Sequence, residues 1–125
     1  MAEPKRVLVF GTFDGLHKGH EFFLRSAKSR GSHLSVGVAQ DEHVVTLKDK
    51  KPLKPLFRRI EAVENLSYVD EVHACDEELG SFNIIESAKP DLIILGHDQH
   101  ELEKVLIKWM SEQDHYVPML KIKKL

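Results

Sequence analysis

Apolar and polar positions along the chain alternate between two rhythms. Val7-Leu8-Val9-Phe10 and Leu92-Ile93-Ile94-Leu95 are short runs with no polar side, the character of strands covered on both faces in a parallel sheet. Between such runs, apolar residues recur at three- and four-residue intervals, the mark of a helix with one buried face. Leu16, Phe23, Leu24 and Ala27 predict a helix over 16–30 that stops at Gly31, a residue suited to a helix C-terminus. A strand over 33–40 follows. The lysine-rich, proline-broken stretch 44–55 reads as a mobile loop over the strand ends. A helix is expected over 58–66, a strand over 68–72, a short helix over 81–89 capped by Ser81, and a strand over 91–96. Leu102, Val105, Leu106, Trp109 and Met110 stripe a helix over 101–113, with Trp109 in the core, and a last strand spans 117–122.

Strand and helix alternating throughout predict a three-layer α/β, Rossmann-like fold around a parallel sheet of about five strands. At 125 residues the expectation is one domain, 1–125, large enough for a substantial core. The net charge of −2 carries no basic excess that would suggest nucleic acid as a standing partner. No run has the length and apolarity of a membrane span, and no leader or lipidation pattern is present. A single cysteine, Cys75, forms no internal disulfide. It fits a reducing cytoplasm and reads as a small core residue.

The chemistry concentrates where the first strand gives way to the first helix. Gly11 ends the strand, Thr12-Phe13-Asp14-Gly15 makes a polar turn, and His17 and His20 project from one side of the opening helical turn. Free N–H groups and the positive end of the helix dipole converge there, which is a phosphate site, and two imidazoles add directional donors. The spacing is neither the G-x-G-x-x-G of dinucleotide folds nor a Walker loop. His-x-x-His could also hold zinc, but no cysteine or carboxylate stands at a spacing to complete such a site.

Gly11-Thr12-Phe13-Asp14 followed by His17-Lys18-Gly19-His20 resembles the His-x-Gly-His signature of the cytidylyltransferase-like nucleotidyltransferases. That group includes archaeal-type FAD synthases and glycerol-3-phosphate cytidylyltransferases. Weaker similarity is found at Leu47-Lys48-Asp49-Lys50-Lys51-Pro52 and at Gly96-His97-Asp98-Gln99, where glutamine after Asp98 is closer to the FAD synthases. The resemblance implies attack of a phosphorylated acceptor on the α-phosphorus of ATP or CTP, with Mg²⁺ accompanying the nucleotide. It implies that His17 and His20 hold the triphosphate, Gly19 admits the backbone, and Gly11, Thr12, Phe13 and Asp14 form the nucleotide turn. Lys48, with Lys50 or Lys51 as substitutes, and Arg58, with Arg59 as fallback, would meet the phosphates. Gly96 and Asp98 would touch base or ribose, Asp98 also serving as a helix N-cap, while His97 and His100 have a lower claim.

Relatives implied by the resemblance continue into a Ser/Thr segment that caps the phosphates, whereas this sequence ends at Leu125. The expectation is therefore slow turnover, or a cap borrowed within a homodimer through 101–113 and the residues near Met119. Three readings stand at this point. The first is FMN adenylyl transfer, the second is cytidylyl transfer to an alcohol phosphate, and the third is a non-catalytic nucleotide-binding domain. None involves nucleic acid or a membrane.

Overall fold

The computed structural model describes residues 5–48, 50–78 and 80–122, without the side chains of 46–48. Five strands form one sheet: β1 (Arg6–Gly11), β2 (His33–Val38), β3 (Glu71–Ala74), β4 (Leu92–Gly96) and β5 (Met119–Ile122). Their order is β3-β2-β1-β4-β5 and every pairing is parallel, with Val9 opposite Val36 on one side and Ile94 on the other. Helices α1 (Lys18–Lys28), α2 (Asp41–Lys48), α3 (Leu56–Glu64), α4 (Asn83–Ala88) and α5 (His100–Gln113) connect them. Strand order reverses at β1, between β2 and β4, and in open sheets of this kind ligands bind at the carboxyl ends beside that reversal.

The two-residue period of β1 explains the three layers. Leu8 and Phe10 enter one apolar cluster with Ile84, Ile85, Ile93, Leu95, Leu106, Trp109 and Met110, between the sheet and α4 and α5. Val7 and Val9 point the other way, into a second cluster with Leu24, Ala27, Leu34, Val36, Val63 and Ile94 against α1 and α3. Both faces of β1 and β4 are therefore dry, which is why neither run carries a polar position. Trp109 is core, while Cys75 is partly buried against the same cluster, where burial pushes its thiol up to about 12.

Several boundaries differ from the sequence expectation. The first part of 44–55 is helical, as α2. Val44 and His43 are buried, and the His43 Nε2–H donates to the Glu77 carbonyl at 2.7 Å, so one face of this lysine-rich segment is committed to the interior. Asp41 and Glu42 in its first turn favour the helix dipole. Helix α3 begins two residues early, at Leu56, because Pro55 makes a good helix entry. Strand β3 begins at Glu71 rather than Tyr68, since the Leu34 N–H donates to the Asp70 carboxylate and the Asp70 N–H to the Leu34 carbonyl, ending the turn there. Ser81 does not cap α4; Asp76 does, accepting from the amides of Asn83 and Ile84 and from the Ser81 hydroxyl. Likewise Gln99, not Asp98, is the N-cap residue of α5. Among the described residues, no helix is long and apolar enough to cross a membrane.

Two polar clusters tie the layers. At the amino ends of the strands, Glu71 accepts from Arg6 (2.9 Å), His33 (2.7 Å) and Ser35 (3.0 Å), joining β1, β2 and β3. The His33 hydrogen bond, opposed by partial burial and aided by Ser35, holds the Glu71 carboxyl below its usual range. Near the carboxyl ends, the fully buried Arg59 of α3 donates to the Thr12 carbonyl (2.9 Å), the Lys54 carbonyl (3.0 Å) and the Asp41 carboxylate (2.6 Å).

Each cluster yields a stability test. A carboxyl with a depressed folded pKa stabilises above its unfolded value, and that contribution is lost as pH falls through the folded value. Urea denaturation from pH 7 to pH 3 should therefore show Glu71→Gln losing less stability on acidification than the parent. Solvent screening limits the difference to about 1 kcal/mol. Equal acid slopes would show that the cluster contributes nothing. Arg59→Met should cost about 2–3 kcal/mol, because two carbonyl oxygens lose their donor, and Arg59→Lys should rescue little, since one ammonium does not reproduce a planar fork. A methionine variant within 0.5 kcal/mol of the parent (about the scatter of neutral surface changes) would rule out a structural role for this arginine.

Candidate functional site

The site begins where β1 runs out. Gly11 leaves the strand beside the ring of Phe13, which sits in the left-handed region at φ 53° and is buried. A Cβ on Gly11 would lie 2.5 Å from that ring, so the turn needs glycine there. Phe13 in turn meets the edge of His20 at 5.5 Å between ring centroids. Asp14 reaches from the turn to another segment. Its carboxylate accepts from the amides of Leu53 (2.6 Å) and Lys54 (3.0 Å) and so holds the segment that leads into α3.

Helix α1 opens with an unusual cap. His17 is the N-cap residue with extended backbone, and its Nδ1 accepts from the Gly19 amide at 3.1 Å. His20 Nδ1 reciprocates by accepting from the His17 amide at 3.3 Å. Serine, threonine and aspartate usually make such caps; here two imidazoles do so, stacked at 3.8 Å. Because each Nδ1 accepts, the proton of each neutral ring is on Nε2. The helix start therefore presents two Nε2–H donors along with its own dipole. Gly19 is required by the stack, since a Cβ there would be 2.9 Å from His17 Cε1.

On the other side of β1, the end of β4 is stitched to the same place. Gln99 accepts from the Gly96 amide at 2.8 Å and donates to the Phe10 carbonyl at 2.9 Å. Gly96 is thus tied to the end of β1, and Asp98 beside it is exposed. The fold packs Gly11, Phe13, His17, Gly19 and His20 against one another, and Gln99 ties Gly96, next to Asp98, to the end of β1. The Lys48 side chain lies outside the described residues. Arg58 is exposed, pairs with Glu61 at 3.3 Å and lies over the Phe57 ring. The neighbouring Arg59 contacts the turn, through the Thr12 carbonyl, and its guanidinium is enclosed.

Sequence reasoning missed Gln99 and Asp41 as parts of this assembly. The signal for Asp41 was an arginine in a helix with buried neighbours, which needs a carboxylate from elsewhere. Gln99 was read only as a mark of resemblance to the FAD synthases, with no structural task. Among the described residues, no three His, Cys, Asp or Glu side chains gather as a metal site.

Comparison with known proteins places this geometry. Residues 8–117 match the family model described as cytidylyltransferase-like. The chain is 41% identical over 95 residues to the FAD synthase of Thermococcus sibiricus, covering 76% of this chain and 64% of that protein. It is 44% identical over 110 residues to the FAD synthase of Ferroglobus placidus, covering 87% and 67% respectively. The chain thus spans about two thirds of the length of these curated relatives. Among solved structures, it resembles the lipopolysaccharide core biosynthesis protein of Thermoplasma volcanium, with a TM-score of 0.88 and 30% identity over 98% of this chain and 99% of that one. A match that starts inside β1 and runs to the last core valine before β5 takes in the whole turn and both imidazoles, and the chain belongs to the cytidylyltransferase-like family.

Proposed function

We propose that this chain is a nucleotidyltransferase that moves an adenylyl group from ATP to FMN, releasing pyrophosphate. The observation that carries the reading is the paired cap of α1, which fixes two Nε2–H donors at the carboxyl end of β1. Similarity to two FAD synthases supports the choice of substrates. An FMN phosphate oxygen forms a bond to the α-phosphorus, the bond from that phosphorus to the bridging oxygen of pyrophosphate breaks, and no covalent enzyme intermediate is needed. His17 and His20 donate to phosphate oxygens whose charge rises in the transition state, and α1 adds its dipole.

Gly11, Thr12, Phe13, Asp14 and Gly19 shape the nucleotide turn in this proposal, Gly96 and Asp98 border the nucleoside, and Lys48 and Arg58 meet the departing pyrophosphate. Mg²⁺ fits as an ion carried by the triphosphate, since such ions are held largely by substrate phosphates and water and the described residues gather no cage of their own. When bound it would neutralise phosphate charge. The proposed setting is the cytoplasm, with residues 1–125 acting as one domain and a homodimer as the working assembly.

Pyrophosphate release with ATP and FMN, beside CTP and glycerol 3-phosphate, tests the reading. Adenylyl transfer to FMN is expected. Release only with CTP would select the cytidylyl reading, and nucleotide binding without release in any pair would select a binding domain. His17→Ala and His20→Ala should each lower turnover about 10²-fold, as loss of an oxyanion-type donor does. His17→Ala should also cost about 1 kcal/mol of stability through the lost cap. His17→Asn supplies a capping oxygen without the Nε2–H, so it should recover the stability and leave turnover low. If the asparagine variant turns over like the parent, the imidazole is only a cap.

A further inference from the structure

Strands β1 and β4 separate before either of them ends. β1 stays in register with β2 as far as Gly11 opposite Val38, and β4 with β5 as far as Gly96 opposite Ile122. Between β1 and β4 the pairing runs only from Val7 opposite Leu92 to Val9 opposite Ile94. The sheet therefore splits between its two central strands, at the reversal of strand order where open sheets bind ligands.

The backbone groups on the two sides of this split are complementary. Successive residues of a strand turn their N–H and C=O groups toward opposite neighbours. The Gly11 carbonyl accepts from the Ala39 amide on the β2 side, so Phe10 faces β4. The Ile93 amide donates to the Pro118 carbonyl on the β5 side, so Gly96 faces β1. The Gly96 N–H and the Phe10 carbonyl are thus donor and acceptor of the next parallel rung, yet the ladder stops short of it. The Gln99 carboxamide stands between them instead, accepting from the Gly96 amide at 2.8 Å and donating to the Phe10 carbonyl at 2.9 Å. A backbone N–H only donates and a carbonyl only accepts, so the side-chain amide has one possible orientation here.

We infer that Gln99 is a positioning residue for the nucleotide: its carboxamide is an inserted rung that holds β1 and β4 apart and so fixes the width of the crevice between them. The inference rests on the transferase reading and adds the residue that sets the nucleotide's seat. Phe10 leads directly into the turn whose Phe13 ring meets His20, so the spacing held by Gln99 passes to the imidazole pair. Without the span, the strands either close on the missing rung or leave a donor and an acceptor without partners. Both outcomes spoil a preformed seat. Neither touches the chemistry at phosphorus, so the loss acts on nucleotide binding.

The test uses the full chain with two readouts: calorimetric titration with ATP and with CTP, and steady-state pyrophosphate release. Gln99→Met keeps the length and volume of the side chain without either hydrogen bond. Gln99→Asn keeps the carboxamide but is one methylene too short to reach both strands. Each should weaken binding of the nucleotide that the parent prefers about tenfold, roughly the effect of one unmade hydrogen bond between buried groups. The KM for that nucleotide should rise by the same factor, with kcat and the acceptor KM near their parental values. A lower urea midpoint with an unchanged nucleotide KM would reduce Gln99 to a structural residue and overturn the inference, while transfer itself stands. Parental nucleotide affinity in Gln99→Asn also overturns it, because the span is then not what matters; this arm decides alone if Gln99→Met does not fold. If the parent binds nucleotide in a Gln99-dependent way but releases no pyrophosphate with FMN or glycerol 3-phosphate, the positioning role stands and the transferase reading fails.

Discussion

Arg59 is a charged side chain fully enclosed by protein, and an enclosed guanidinium is tolerable only when its donors are matched. Its three partners come from separate parts of the chain: the turn after β1, the residue before Pro55, and the first residue of α2. Satisfying one side chain therefore fixes three backbone segments relative to one another. Asp14 repeats the connection in the opposite sense, as an acceptor reaching from the turn to the amides of Leu53 and Lys54. The turn after β1 and the segment carrying Leu53 and Lys54 are thus laced to one another from both sides.

The sheet gives its two ends different work. At the amino ends, Glu71 gathers Arg6, His33 and Ser35, and Asp70 takes Lys28 Nζ at 2.7 Å and the Leu34 amide. Burial opposes the charge on Asp70, but those two donors outweigh it and hold its carboxyl below the usual range. At this end the charges meet each other. At the carboxyl ends the polar groups of β1 and β4 are spent on shaping the turn, through Gln99 and Arg59, and the two stacked imidazoles cap the start of α1.

How much of this was legible in the sequence follows from what each residue must satisfy. The strands Val7–Phe10 and Leu92–Leu95 were legible because burial on both faces excludes every polar side chain, and α1 and α5 because their apolar stripes are long. Helix α2 was not, since among its described side chains only His43 and Val44 are buried, beside the acids that open it, and so short a stretch shows no period. Arg58 and Arg59 are equivalent as letters in a row. Only the direction in which α3 faces the sheet separates the exposed one, paired with Glu61, from the enclosed one. The Asp98 cap was misplaced for a related reason. The Gln99 side chain is drawn away to Phe10 and Gly96, and the backbone follows it into the cap position.

The His-x-Gly-His signature is better understood as one object than as three residues. With stacked rings 3.8 Å apart, each Nδ1 is turned inward on an amide of the same helical turn. Replacing either ring removes a cap, and adding a Cβ at Gly19 forces the first ring off the second. The tautomer follows from the cap: as long as α1 is formed in this way, the protons are on Nε2. Helix formation and donor orientation are therefore the same event. The imidazoles need no separate device to orient them, because the hydrogen bonds that start the helix already do so.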